Sequence, residues 1–261
     1  MESDNDKFVV PLADGAQVEA VYYGSGTLCL SSQVGCAVGC PFCASGADGF
    51  RRNLDAAEML AQLAVARSRG HHPARLTVSG VGEPLHNLAA EAAYVAAACR
   101  QGLPVSLTTT GAPLTRLADA LMLEHNGLMF SVHAGRSETH RRLVPAGPPF
   151  EAFWLALGSL WPRLSRRRRR LVGINYLLLE GANDGEEELA AFLERLRPFP
   201  EVTVHLLTCN PVAGSPFHGA GAAIVDAWHG RLVAAGVHAR RANRWRRRLE
   251  GGCGTLVARS R

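Results

Sequence analysis

From about residue 75 onward, short runs of β-branched and aliphatic residues alternate with Ala- and Leu-rich stretches of helical period. The runs at 28–33, 75–79, 104–108, 128–132, 171–178 and 202–207 predict strands, since strands buried on both faces read as near-continuous apolar segments. Between them, 55–69, 87–100, 114–124, 150–164, 185–196 and 222–235 repeat apolar residues every three or four positions and predict helices. Strand and helix in alternation build a parallel sheet with helices outside it. Six such units fall short of the eight that close a barrel. The expected fold is therefore α/β, a partial (β/α)6 barrel of TIM type with short terminal extensions. Residues 1–25 read as a short β-rich extension, 26–239 as the core and 240–261 as a basic tail.

Composition adds limits rather than detail. A chain of 261 residues with 47% hydrophobic content can bury one large core. The N-terminus, Met1-Glu-Ser-Asp-Asn-Asp-Lys7, is polar, and no apolar run approaches the roughly 18 residues of a membrane span, so a cytoplasmic protein without a membrane anchor is expected. Seven cysteines, three of them within eight positions, suit metal ligation in a reducing compartment better than a disulfide framework. The net charge of +5 hides local asymmetry: five consecutive arginines occupy 166–170, and Arg240, Arg241, Arg244, Arg246, Arg247 and Arg248 surround Trp245. Such clusters fit either a solvated surface or a polyanionic partner, with arginine neutralising phosphate and tryptophan stacking on a base.

The chemistry concentrates in Cys36-Ala-Val-Gly-Cys40-Pro-Phe-Cys43. This spacing lets three soft thiolates converge from one loop, and iron–sulfur centres favour such ligands. A cluster normally takes four cysteines, so three leave one iron open to a small molecule. Zinc completed by a distant His or Cys is the alternative, and would make the chain a zinc-stabilised RNA-binding module without catalysis. Gly82-Glu83-Pro84 follows a predicted strand. There a glycine lets backbone approach a ligand, and a carboxylate accepts hydrogen bonds from an ammonium or pairs with a helix N-terminus.

Further segments stand in a fixed order: 26–36 (GTLCLSSQVGC), 49–54 (GFRRNL), 80–87 (GVGEPLHN), 108–111 (TTTG), 130–134 (FSVHA), 183–185 (NDG), 209–216 (CNPVAGSP) and 252–254 (GCG). With these motifs the chain resembles the radical S-adenosylmethionine (SAM) superfamily and, more narrowly, the dual-specificity RNA methyltransferases of RlmN/Cfr type. The resemblance implies a 4Fe–4S cluster on Cys36, Cys40 and Cys43, and SAM bound through Gly82, Glu83, Thr108, Ser131, Val132, His133 and Asn210. It implies that Cys253 is methylated first and carries the methyl group as a radical to an adenosine carbon, position 2 or possibly 8, of ribosomal or transfer RNA. Cys29 then resolves the adduct by forming a disulfide with Cys253, and Glu19 is the candidate base.

The family usually carries an N-terminal helical RNA-binding domain, whereas the match here begins almost at Met1, and an arginine-rich segment replaces the acidic residues expected before Cys253. Both departures keep a small-molecule or peptide substrate open as the second reading. An electron donor such as a flavodoxin or ferredoxin and a monomeric state complete the expectations. Cys99 reads as core; Cys209 stands where an aromatic residue is expected.

Overall fold

A computed structural model describes residues 5–248, 252 and 254–259. Its strands are β1 (Asp6–Pro11), β2 (Gln17–Tyr23), β3 (Thr27–Leu30), β4 (Gln33–Gly35), β5 (Phe50–Asn53), β6 (Arg75–Val78), β7 (Val105–Thr109), β8 (Gly127–Ser131), β9 (Val172–Leu178), β10 (Thr203–Thr208), β11 (His238–Arg241) and β12 (Ala258–Arg259). The α-helices are α1 (Ala56–Ser68), α2 (Leu88–Arg100), α3 (Leu117–Met122), α4 (Ser137–Leu143), α5 (Phe150–Leu160), α6 (Arg166–Arg169), α7 (Glu186–Leu196) and α8 (Ala222–Ala234).

Ten strands form one open sheet in the order β1-β2-β3-β6-β7-β8-β9-β10-β11, with β12 against β2. From β3 to β11 every neighbour is parallel. The architecture is thus the expected α/β partial barrel, open between β1 and β11. All six predicted strands exist, although the first is divided: β3 ends at Leu30, and β4 leaves the sheet to pair with β5. A seventh parallel strand, β11, lay unpredicted because its four residues, His-Ala-Arg-Arg, carry no apolar run.

Local chemistry accounts for the elements. β9 is buried at all seven positions, as a central parallel strand covered on both faces must be. α1 starts at Asp55, whose carboxylate accepts from Glu58 N while the Glu58 carboxylate accepts from Asp55 N, a capping box. α7 opens on Glu186, Glu187 and Glu188, the favourable charge for a helix N-terminus. The predicted helix at 150–164 stops at Leu160 and tightens into a 3-10 turn at Pro162, which has no N–H to continue the ladder. Part of the arginine run is structural: Arg168 donates to Leu121 O (3.0 Å) and Leu123 O (2.8 Å), satisfying the exposed carbonyl end of α3. Leu28, Leu30, Leu76, Leu107, Phe130, Ile174 and Tyr176 belong to one continuous core. Among the described residues, no helix is long and apolar enough to cross a membrane.

Candidate active site

The C-terminal ends of the parallel strands surround a cavity of about 140 Å³. Cys36, Cys40 and Cys43 line one side, and Glu83, Thr108, Ser131 and His133 line the others. This is the end of the sheet where barrel enzymes build their sites.

A two-stranded clasp holds the cysteine loop. Gln33, Val34 and Gly35 on β4 pair with Asn53, Arg52 and Phe50 on β5, and Cys36 N donates to Gly49 O (3.1 Å). Gly35 has φ +78°, and a Cβ there would lie 1.9 Å from Gly49 O, so only glycine closes the clasp. Within the loop, Cys43 N donates to Cys40 O (3.0 Å). Burial first, and the neighbouring Cys43 next, push the Cys36 thiol up to about 11, and the same causes raise Cys40 well above an ordinary thiol. Half-buried sulfurs gathered on one cavity, with thiols that burial holds protonated in the absence of a cation, fit an iron–sulfur cluster, whose positive irons hold thiolates deprotonated. Among the described residues, no three His, Cys, Asp or Glu side chains are arranged for one metal ion. A cubane instead distributes its cysteines over separate irons.

Glu83 fits the ammonium of SAM. It is buried in the cavity wall, and its carboxylate accepts from Leu85 N (3.0 Å), Thr110 N (2.7 Å), Thr110 Oγ1 (2.8 Å) and Thr109 Oγ1. Burial raises its pKa, while these bonds pull it down. A bound cation would offset the desolvation. Gly82 has φ +120°, and a Cβ there would lie 2.6 Å from Ser32 Oγ and 2.8 Å from Gln33 Cγ. The close approach that demands glycine is therefore made by the protein's own 32–33 loop. Gln33 Oε1 in turn accepts from Glu83 N (2.8 Å).

His133 lies just past β8 with φ 56°, in the left-handed region, a strained state that needs support. Asn183 supplies it, donating through Nδ2 to His133 O (2.8 Å) and Leu177 O (2.7 Å) and accepting from Leu179 N (2.7 Å). The imidazole Nδ1 accepts from Leu177 N (3.0 Å), and burial followed by His140 lowers its pKa to about 3, so the ring is neutral. Its edge meets Phe42 at 5.3 Å between centroids. His133 thereby braces the cysteine loop.

Other predicted residues stand behind the wall. Val132 is in the core, its N–H donating to Asn175 O (3.2 Å), and does not line the cavity. Asn210 is buried beside the tail, donating to Arg246 O (3.0 Å) and packing so closely on Gly252 that a Cβ there would lie 2.3 Å from Asn210 Nδ2. Cys29 is buried on β3, its Sγ 3.3 Å from Ser79 Oγ, and Ser79 lines the cavity. Glu19 on β2 accepts from Val257 N (2.9 Å) and pairs with Lys7 (3.3 Å). Cys253 lies outside the described residues, but Gly254 lines the cavity and its carbonyl accepts from Ala44 N (2.8 Å) beside Cys43.

Thr109 and Thr110, which hold Glu83, were missed as site residues, although the Thr-Thr-Thr-Gly segment was visible. Cys209 also lines the cavity; burial and then Cys43 push its thiol up to about 11.

This constellation, a partial barrel with three cysteines of one loop and a buried carboxylate at its strand ends, fits a radical SAM enzyme, and the profile of the family described as Radical SAM superfamily matches residues 30–193. A crystal structure of a radical SAM methyltransferase from Sphaerobacter thermophilus superposes with a TM-score of 0.81 at 27% identity, covering 97% of this chain and 77% of that one. The dual-specificity RNA methyltransferase RlmN of Magnetococcus marinus is 33% identical over 265 residues, 96% of this chain and 73% of that protein. The probable RlmN of Rhodopirellula baltica is 35% identical over 267 residues, 96% of this chain and 70% of that protein. The chain belongs to the RlmN-type family of radical SAM methyltransferases. It is an enzyme whose cofactors are a 4Fe–4S cluster and SAM, and the non-catalytic zinc module is set aside.

Proposed function

We propose that this enzyme methylates a ring carbon of adenosine in ribosomal or transfer RNA, position 2 first and position 8 as the variant, through a methylated Cys253. The RNA methyltransferase names of its relatives support the substrate class. The observation that carries the route is the docking of the tail on the cluster loop: Ala44 N donates to Gly254 O (2.8 Å) and Ser45 Oγ to Leu256 O (2.8 Å). The chain neighbours of Cys253 are thus fastened beside the cavity that the cluster cysteines line.

Cys36, Cys40 and Cys43 would hold the cluster and Glu83 the ammonium of SAM, with Gly82, Thr108, Ser131 and His133 forming the surrounding wall and Val132 and Asn210 supporting it. With SAM bound and one electron from a flavodoxin- or ferredoxin-type donor, the cluster supplies a radical able to take hydrogen from an unactivated methyl group. That chemistry suits adenine, whose amidine carbon is electrophilic and does not attack a sulfonium directly. Cys253 holds the methyl group as a thioether and, after losing a hydrogen atom, bonds through that carbon to the base. The adduct gives back the one electron that the donor supplied as Glu19 takes the proton from the ring carbon. The Cys29 thiolate then attacks the Cys253 sulfur; the S–C bond breaks with its electron pair on the carbon, which takes a proton to become the methyl group, and the transient S–S bond so formed is reopened by an external thiol. Glu19 shares a neighbourhood with Cys29: Val21, two residues further along β2, pairs with Cys29 on β3.

The test is anaerobic reconstitution with labelled SAM and total RNA, followed by mass spectrometry of digested nucleosides. Labelled methyladenosine is expected, lost in Cys253→Ala and replaced by a protein–RNA adduct in Cys29→Ala. Full turnover by Cys253→Ala, or label in no nucleoside, would sink the reading.

A further inference from the structure

The end of the first arginine run, Arg170, reaches the same cavity as arginines of the second cluster. At the opposite end of the sheet from the cysteines, the N-terminal ends of the parallel strands enclose a second cavity of about 490 Å³. Arg75 opens β6, Arg170 precedes β9, Arg240 and Arg241 lie on β11, Arg246 follows in the next turn, and all five line it. No Asp or Glu does. Arg241 pairs with Asp226 on α8 (2.7 Å), whereas neither Arg75 nor Arg240 has a carboxylate partner among the described residues. His205, paired with Arg240 across β10 and β11, lines the same cavity. Burial, then the charges of Arg246 and Arg240, hold its pKa down at about 4. Charged residues on an edge strand also deter sheet-to-sheet pairing, but that role accepts either sign and does not gather arginines from 75, 170 and 240 around one void. Asn175, Leu207 and Arg246 line both this cavity and the active-site cavity, so the two share a wall.

We infer that the base of the half-barrel is a second binding site, which takes backbone phosphates of the RNA substrate about one strand length from the reacting base. The inference rests on the RNA reading above. Arginine forks match phosphate oxygens in pairs, and a pocket without carboxylates is closed to cations. A site on the far face would give this chain an anchor on folded RNA that does not depend on reading bases.

The experiment is fluorescence anisotropy of a labelled adenosine-containing RNA stem-loop with the reconstituted enzyme from 0.05 to 0.3 M KCl. It compares the natural chain with Arg75→Gln/Arg240→Gln and with Arg166→Gln/Arg167→Gln, which removes the same charge from exposed positions off the cavity. Losing two phosphate contacts should lower the log–log salt slope by about 1.4 and weaken binding about 25-fold at 0.1 M salt, with the control pair within about twofold. No RNA binding by the natural chain would overturn the RNA reading and this inference together. Binding by the natural chain that is unchanged in Arg75→Gln/Arg240→Gln would overturn this site alone. In a second arm, ATP binding lost in that variant with RNA binding intact would assign the cavity to a free nucleotide and equally overturn the inference.

Discussion

Replacing Glu83 by Gln keeps the side chain's shape and removes its charge, which separates the architecture of the cavity wall from its grip on a cation. Four donors converge on the two carboxylate oxygens: Leu85 N and Thr109 Oγ1 on one, Thr110 N and Thr110 Oγ1 on the other. In the amide, one oxygen becomes an NH2. The threonine hydroxyl there can rotate and accept, so one backbone N–H is left opposed by a donor, at about 1–3 kcal/mol. Relief of the burial penalty that raises the Glu83 pKa works against this loss. The net change in folding stability should therefore stay below about 3 kcal/mol, measured by urea unfolding. The ammonium of SAM, by contrast, loses a charge-assisted bond worth about 1.5–3 kcal/mol, so affinity should fall about 10- to 150-fold by equilibrium dialysis. The visible absorbance of the cluster should not change, because Glu83 is no ligand of it. SAM affinity within twofold of the natural enzyme would refute the assignment of Glu83 to the ammonium.

Glu91 on α2 is fully buried, and burial followed by the charge of Glu83 raises its pKa well above 4.5, with the Ser32 hydroxyl pulling back. Above pH 4.5 the folded state holds a proton that the unfolded state has lost, so this group makes stability fall as pH rises towards its folded pKa, by about 1.4 kcal/mol per unit. Glu91→Gln should flatten that slope and be the more stable protein at pH 8 in urea titrations; an unchanged slope would contradict it. Gly82→Ala should cost at least about 2 kcal/mol, from backbone strain at φ +120° plus the clash with Ser32 and Gln33, and should weaken SAM binding by shifting the Gln33 contact to Glu83. A variant as stable as the natural chain would show that the 32–33 loop yields freely. Gly35→Ala drives a methyl group into Gly49 O, and iron retained after reconstitution should fall below about half; full iron content would mean that the β4–β5 clasp does not hold the cysteine loop.

Some of this was legible before any folding. The loop from Cys36 to Cys43 needs only local chain geometry to bring three thiols together, and hydrophobic period alone marks the strands that meet in the core, because burial on both faces leaves a continuous apolar run. The glycine at 82 was also readable as a point of close approach, but what approaches it is the 32–33 loop, a contact 50 residues away in sequence that no spacing announces. The same holds for Glu19, whose carboxylate holds Val257 across 238 residues, and for Asn210, which packs on Gly252. β11 was invisible because an edge strand of arginines carries no burial signal, and the division of the arginine run was invisible because its members differ only in their neighbours: Arg168 caps α3 while Arg170 faces the base cavity. What the sequence determined by itself was therefore the cysteine chemistry and the strand–helix rhythm, both set by near neighbours along the chain. Which distant side chains share a cavity, and which end of the sheet collects the positive charge, was decided only when the parallel strands aligned their ends.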